Sequence, residues 1–524
     1  MLDLVSVGSD QECDAYWNTS TLEMSRQLWL PTETEFADLD SSSLTGSSRR
    51  LLSNSWFSVK TLKATELTSS QKTFSQSLLS LLPRITALEQ ENLDALEAVK
   101  AVKKEKRDLA YARKRQKIIE TETPEEKFIR LEKERKARIK QQKKDEKDDT
   151  GKSIRIRVYP TTEQKARLKG YFGCARFIYN KCVRMYLQDP NVTMQQLRTA
   201  IVGNPNYTTS DTWVLEYPFD VRDEAMRDFW KNVVSNREKG GTFTMKFKRK
   251  KAHTKQSVSV LAKHWNKPRN WYSWLFQPAV LESHQRLPQE LKYTARFKKT
   301  HTNRYYLCLP KPLEVMVDNQ APNTKCIFFD PGSSPILTGY DLEGVVYIFG
   351  EKDMTRIGRL LHYKNKLRSK SDKATTHKKR YSLKRAYLRI YEKIKYLMTD
   401  FHCKVTKWLC ENYTHIFIPR LNFHKMTKLH KKPKERLASI EHCALVDRMV
   451  NKTREYPWCK VTQVNEAFTT KTCGRCGTQN HHVGRSKTFH CVNNECNLVC
   501  HRDVHASVNI LLRYFTKRAV THEA

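Results

Sequence analysis

Hydrophobic and polar positions change period several times along this chain, and each change predicts an element. Up to about residue 85 there is little period. The stretch is Ser/Thr-rich and locally acidic, with short apolar clusters such as Leu78, Leu79, Leu81 and Leu82, so it reads as partly disordered. From Ile85 to about Lys147 the composition shifts to Glu, Lys, Leu, Ala and Arg without glycine. Leu88, Leu93, Leu96, Val99 and Val102 form a stripe that fades into alternating charge, which predicts a long exposed helix with a break near Pro124. After a boundary at 148–152, Ile154, Ile156 and Val158 alternate with Arg155 and Arg157, the pattern of a half-buried strand that Pro160 ends. Thr161 and Gln164 have capping-box spacing and open a helix through Leu168, Phe172, Phe177 and Tyr179. Further helices are expected over 194–202 and 221–236. Period two returns in a strand over 243–251 and in a hairpin of 290–299 with 303–310, turning at 300–302.

The second half begins with a short apolar strand, 325–330, that ends in Asp330 and runs into Pro331-Gly332. A hairpin over 336–350, with its turn at 341–344, follows. Between residues 351 and 400 there are sixteen Lys and Arg against five acids. Ile390, Ile394, Leu397, Phe401, Val405 and Leu409 recur there and beyond at helical spacing, predicting a basic helical hairpin broken around 369–376. Next come a buried strand at 415–420, a basic loop at 423–434, a helix over about 435–454 and a strand at 459–464.

Composition narrows the partners. A chain of 524 residues has room for two to four domains, and its formal charge of +39 makes nucleic acid the first partner to consider. No apolar run approaches a spanning helix, so no membrane association is expected. The first residues lack the basic flank and apolar core of a secretory signal. Fourteen cysteines, five of them between Cys473 and Cys500, suit metal ligands and free thiols in a reducing compartment. Basic runs at 103–117 and 132–144 read equally as solvated helical faces or as nuclear-import or RNA-contacting segments. Trp265, Trp271 and Trp274 lie among cations and could stack on bases, although a place in a β-core is commoner.

Chemistry concentrates near the end. Cys473-x2-Cys476 and Cys491-x4-Cys496 are two tight thiol pairs with the spacing of a tetrahedral structural zinc site. His481, His482, His490, His501 or His505 could replace one sulfur, although His490, beside Cys491, suits a contact to backbone or nucleic acid. On either side of the cysteines stands a lone acid. Glu466 lies in a strand-like run, and Asp503 opens a helix with Val504, Val508, Leu511 and Leu512 as its apolar positions. A zinc clip between two acid-bearing elements suggests a metal-dependent active site interrupted by a ribbon.

With these pieces in order, the chain resembles the Fanzor proteins, eukaryotic relatives of the transposon-encoded TnpB nucleases. The resemblance covers roughly residues 152–515. It rests on the strand, Pro-Thr, Gln and Arg-to-Asn helix of 154–180, on the basic KFKRKK motif, on FFDPG, and on the TTKTCGRCG, FHCVNNEC and HRDVHASVNI segments in register. It implies a multidomain α+β architecture. Residues 1–150 form an N-terminal extension. Residues 151–320 form a β-barrel wedge domain with a helical recognition insert at about 161–240. Residues 321–471 and 499–515 form an RNase H-like RuvC nuclease domain, interrupted at 472–498 by a four-cysteine zinc ribbon that contacts the target, and 516–524 are a tail.

The resemblance implies a nuclear, RNA-guided DNA endonuclease, acting as a monomeric ribonucleoprotein with a transposon-encoded guide RNA on double-stranded target DNA. Asp330, Glu466 and Asp503 would be its catalytic Mg2+ ligands, holding two ions about 4 Å apart, and Cys473, Cys476, Cys491 and Cys496 would hold one structural Zn2+. Two departures stand out. TnpB proteins carry the middle acid on the strand matching 415–423, where this chain has Pro419, and Fanzor proteins place a substitute before the ribbon, where Glu466 stands. The usual Asp-Arg-Asp-x-Asn is here His501-Arg502-Asp503-Val504-His505. Glu411 and Glu455 are fallback acids. A catalytically inactive guided DNA-binding protein or transposon regulator is the alternative, and a zinc-ribbon transcription factor fits the β-rich regions poorly.

Overall fold

A computed structural model describes residues 151–203, 209–238, 243–249, 256–265, 281–317, 323–421, 431–484 and 486–520. It also describes the strand at 59–63 and scattered positions between 28 and 105. The chain divides into two compact units, one of residues 142–313 and one of residues 1–141 with 314–524.

In the 142–313 unit, strands β2 (Lys152–Val158), β3 (Gln256–Val260), β4 (Ala295–Lys299) and β5 (Tyr305–Lys311) form an antiparallel sheet in the order β2-β5-β4-β3. Helices α1 (Thr162–Gln188), α2 (Met194–Arg198) and α3 (Phe219–Glu238) accompany it. The capping box at the start of α1 forms: Gln164 N–H donates to Thr161 Oγ1, and Thr161 N–H donates back to Gln164 Oε1. Leu168, Phe172, Ile178, Met226, Phe229, Phe297 and Leu307 make a shared core. The hairpin turns at 300–304, where Asn303 takes φ 61°, but its first strand starts at Ala295 rather than at 290. The strand expected over 243–251 does not form over the described residues 243–249, which have no ladder partner. Met245 is buried while Phe247 is 48% exposed, so only part of the alternation finds a core. The Asn180 amide satisfies this backbone instead, accepting from Lys248 N–H and donating to Lys248 O. Trp265 is buried and its Nε1–H donates to Pro288 O, which is the core role; Trp271 and Trp274 lie outside the described residues.

The other unit is built on a six-stranded sheet in the order β1-β8-β7-β6-β9-β10. Its strands are β1 (Val59–Lys63), β6 (Cys326–Pro331), β7 (Leu337–Asp341), β8 (Val345–Phe349), β9 (His415–Pro419) and β10 (Lys460–Val464). The chain meanders antiparallel through β6, β7 and β8, then returns so that β9 pairs parallel to β6 and β10 parallel to β9. Helices cover both faces, which explains the unbroken apolar run in β6. Ile327 and Phe329 pack with Phe401, Val405 and Leu409 of α5 (His377–Asn412) and with Leu445 and Met449 of α7 (His442–Lys452). Cys326 and Phe328 face the other way, onto Val504, Val508, Leu511 and Leu512 of α8 (Arg502–Val520). Helix α4 (Glu351–Asp372) pairs with α5 as the basic hairpin, broken at 373–376. Lys366, Arg368, Lys370, Lys378, Lys379 and Lys384 stand exposed on it.

Within residues 1–85, expected to be partly disordered, some described residues take part in the fold: β1 caps the sheet edge at β8, and Leu78 and Leu82, one helical turn apart, are buried in the α8-side core. The helix expected over 435–454 is two, α6 (Lys431–Ile440) and α7, because Glu441 adopts the left-handed region at φ 52°. The basic loop expected at 423–434 lies outside the described residues as far as 430, and its last four residues instead open α6. Most of the basic run at 103–117, the run at 132–144 and the Pro124 break also lie outside the described residues. Among the described residues no helix is long and apolar enough to cross a membrane.

Asp341 ends β7, its Oδ1 accepting from Glu343 and Val345 N–H and its Oδ2 from the Tyr413 hydroxyl. Burial outweighs these bonds and pushes its pKa up to about 7. Its folded pKa lies above the unfolded value, so its contribution to stability is full below about pH 4 and is lost as pH rises through about 7, at up to ~1.4 kcal/mol per pH unit. Thermal melts of Asp341→Asn should therefore show a shallower decline across that window than the parent. Parallel pH profiles would contradict this.

Candidate metal and acid site

Strand direction decides where the acids meet. Because β6, β9 and β10 are mutually parallel, their C-terminal ends share one edge of the sheet. Asp330 stands at that end of β6, two residues after Phe328, and alternation turns both toward α8. Val464 pairs with Pro419 at the last step of β10 and packs on the same face. Glu466 follows two residues later, so it lies in the loop past β10 and not within the strand as expected. Asp503 occupies the first turn of α8, where backbone N–H groups point toward a negative charge.

Helix α8 also fixes the loop that carries Glu466. Asn509 Nδ2 donates to Thr469 O and Thr472 O at 2.7 and 2.8 Å, and Arg513 Nη1 donates to Ala467 O. Within the loop, Thr469 Oγ1 donates to Glu466 O and Ala467 N–H to Asn465 Oδ1, with Phe468 at φ 65°. Ser507 Oγ donates to Thr338 O and so seats the helix on β7. One helix thus carries one acid, braces the loop of the second and packs against the strand of the third.

The electrostatics are those of crowded carboxylates. Burial raises Asp330 well above the usual carboxylate range, and the charges of Asp503 and Glu466 raise it further while Arg502 opposes them. Glu466 is raised by burial. Arg502 Nε and Nη2 both donate to Asp503 Oδ1, at 3.0 and 2.9 Å, and Nη1 donates to Ser486 O. Oxygen donors of this kind suit a hard cation such as Mg2+. The three acids interact without closing as tightly as the cysteines described next. The fallback acids lie elsewhere: Glu411, near the end of α5 and before β9, is 3.6 Å from Lys407, and Glu455, before β10, is 2.6 Å from Lys452. Both precede strands whose far ends carry the acid edge.

The cysteine cluster is compact. Sγ atoms of Cys473, Cys476, Cys491 and Cys496 all lie within 4.8 Å of one another, with Cys473–Cys496 at 3.8 Å and Cys476–Cys491 at 3.4 Å. Tetrahedral sulfur at about 2.3 Å from zinc would stand about 3.8 Å apart, so the four thiols could hold one zinc ion. Two short strands, β11 (Thr488–His490) and β12 (Val499–His501), close the module over Phe489 and Cys500. No histidine joins the four sulfurs among the described residues. His481, His482 and His490 are exposed, whereas His505 is buried against Phe489 and its Nε2 accepts from Gly474 N–H at 2.8 Å. Burial lowers its pKa to about 3, keeping it a neutral acceptor.

The sequence reading missed these bracing roles of Asn509, Arg513 and His505. The available signal was their i, i+4 spacing along the helix that Asp503 opens. Gly474 completes the joint. A β-carbon there would meet Asn509 Oδ1 at 2.7 Å and His505 Nε2 at 3.1 Å. Gly474→Ala should therefore lower the melting temperature, a cost of about 1–3 kcal/mol, and a parental melting temperature would show that the joint yields freely. Glu351 makes a further brace, bonded at 2.8 Å to Lys60 of β1 and to Lys487 of the cysteine module. Burial pushes its carboxyl up, but the two lysines outweigh that and hold it at about 2.

The chain matches a helix-turn-helix domain family described from OrfB of IS605 over 150–188, and the TNB domain of Cas12f1-like proteins over 442–510. Protein A625R of Paramecium bursaria Chlorella virus 1, named as a candidate transposase, is 25% identical over 394 residues, 70% of this chain and 87% of its own. The TnpB-like protein L770 of Acanthamoeba polyphaga mimivirus is 24% identical over 393 residues, 68% of this chain and 72% of its own. Among solved structures, the Cas12f1-sgRNA-target DNA complex covers 67% of this chain and 83% of that one at 13% identity, with a TM-score of 0.40. None of these names the Fanzor branch. At the breadth of the wider group, the chain is a relative of the TnpB-like proteins.

Proposed function

We propose that this protein is an RNA-guided DNA endonuclease of the TnpB-like, transposon-associated kind. The observation that carries this reading is the electrostatic coupling of Asp330 to Asp503 and Glu466 at one edge of the six-stranded sheet, an arrangement that supports an RNase H-like, RuvC-type site. These three side chains would hold two Mg2+ ions, which supply activation of water and stabilisation of the departing oxygen. Arg502 balances the charge of Asp503, and the hydrogen bonds from Asn509 and Arg513 keep the Glu466 loop from swinging away. The cysteine module would hold Zn2+ and act as a structural ribbon against the target. The exposed cations of α4 and α5 suit the backbone of a guide–target heteroduplex, recognised by its shape.

By the same reading, residues 151–320, with a helical insert at about 161–240, form the wedge and recognition domain, which contacts duplex beside the target. A monomeric ribonucleoprotein working in the nucleus follows, and imaging a tagged chain against a nuclear marker checks the compartment. The decisive experiment is to copurify the bound RNA and incubate the complex with a matched duplex and Mg2+. Guide-dependent strand breaks support the reading, and guide-dependent binding without breaks would replace it. That second outcome is the alternative of an inactive guided binder. It draws on Pro419, which ends β9 between the two acid-bearing strands where an acid would be nearer both.

A further inference from the structure

Helix α1 carries a cavity that the nuclease reading leaves unused. It has a volume of about 300 Å3 and lies in the 142–313 unit, between α1 and the 3-10 turn at Thr209–Glu216. Arg176, Asn180 and Arg184 recur at i, i+4 and i+8, so one stripe of the helix lines it. Gly173 leaves its floor open. A β-carbon there would lie 3.8 Å from Trp213 Cη2 and 4.0 Å from Arg176 Nη2, so indole and guanidinium flank the same gap. Trp213 is held edge-on to Phe177 with ring centroids 5.6 Å apart, yet 36% of it remains exposed. The acid in the wall, Asp211, is neutralised by Lys181 at 2.8 Å. Among the described residues, Arg176 and Arg184 make no ion pair with a carboxylate, and partial burial lowers the pKa of Arg176. A second small cavity shares Arg176 and continues to Lys248 and Arg249.

Two unneutralised guanidinium groups beside a fixed, half-exposed indole match the chemistry of a phosphate next to a base. The volume admits one nucleotide and is too small for a stacked pair. We propose that this cavity seats one unpaired nucleotide of a nucleic-acid strand, with its base against Trp213 and its phosphate between Arg176 and Arg184. The strand then runs on over Arg176 toward Lys248. This rests on the nucleic-acid-binding part of the function proposed above and needs none of the three acids.

The test is fluorescence anisotropy of the full chain in EDTA, so that cleavage plays no part. Labelled single strands of about 15 nucleotides, as DNA and as RNA, are titrated at several salt concentrations. Trp213→Ala should weaken binding about tenfold. Arg184→Gln, an exposed change that should leave folding intact, should reduce the slope of log affinity against log salt by about 0.7. A strand with abasic positions should bind the parent more weakly and Trp213→Ala no differently from an intact strand. Loss on DNA, on RNA or on both supports the site and identifies its strand. Parental affinity and salt slope in both variants, or no strand binding by the parent, would overturn it, as would an equal loss of affinity for polyglutamate. Unchanged binding together with guide-dependent cleavage would remove this site alone and leave the nuclease reading standing.

Discussion

Asp330→Asn is expected to abolish strand cleavage and, at the same time, to stabilise the metal-free protein at neutral pH. Both effects come from one carboxyl. Burial and the charges of Asp503 and Glu466 raise its pKa well above the usual range, so without a cation it folds only by holding a proton or by carrying an uncompensated charge. Asparagine needs no proton. The variant's advantage should therefore grow as pH rises from about 4, because stability tied to a raised carboxylate is lost upward through its folded pKa. In the parent, Mg2+ at about a hundred times its dissociation constant should restore about 2.7 kcal/mol, and the variant should respond less. Loss of cleavage should be on the order of 1000-fold, since a ligand to the developing charge is worth about 4 kcal/mol. Melting temperatures with and without Mg2+, read beside a cleavage assay, give both results. A variant that cuts normally, or that is less stable than the parent at pH 8 without metal, contradicts the assignment.

The second large effect is expected at the cysteines. Replacing Cys473 and Cys476 together with Ser, or stripping zinc with a strong chelator, should unfold the module between Lys471 and His501. Structural zinc of this kind contributes roughly 10–16 kcal/mol to the folding of small domains. The loss should spread. His505 accepts from Gly474, and Arg502, which grips Asp503, also donates to Ser486 of the same module. Hydrogen exchange should show faster amides at 472–500 and at the start of α8, with α4 and α5 unchanged. Stoichiometric zinc in the parent and none in the double variant completes the test, and full protection in the variant would exclude a metal-held ribbon.

Much of this was legible in the sequence because its signals were local. The capping box at Thr161 and Gln164, the break between α4 and α5 and the β7–β8 turn each depend on neighbours a few residues apart. The cysteine pairs declared themselves by spacing, and the apolar run of β6 by being covered on both faces. What escaped depends on partners far away. Residues 243–249 have strand periodicity but join no ladder, and a single amide, Asn180, bonds both ways to Lys248 in its place. Val59–Lys63 carries no strong pattern and becomes a strand because β8 offers it an open edge. Glu441 breaks a good helical sequence because the chain must turn where His442 Nε2 meets Pro419 O. At the acid edge, the residue types were visible, but the reason Glu466 stays near the other two was not. That reason is a set of hydrogen bonds from Asn509 and Arg513, more than 40 residues further on.

Glu466 bears the most weight at the site, because its loop follows β10, one strand beyond the β9 end that Pro419 occupies. The most direct measurement is guide-dependent cleavage of a matched duplex in Mg2+ by Glu466→Ala, with RNA binding followed in the same preparation. The account predicts bound RNA and uncut DNA. Parental cleavage by Glu466→Ala would contradict it.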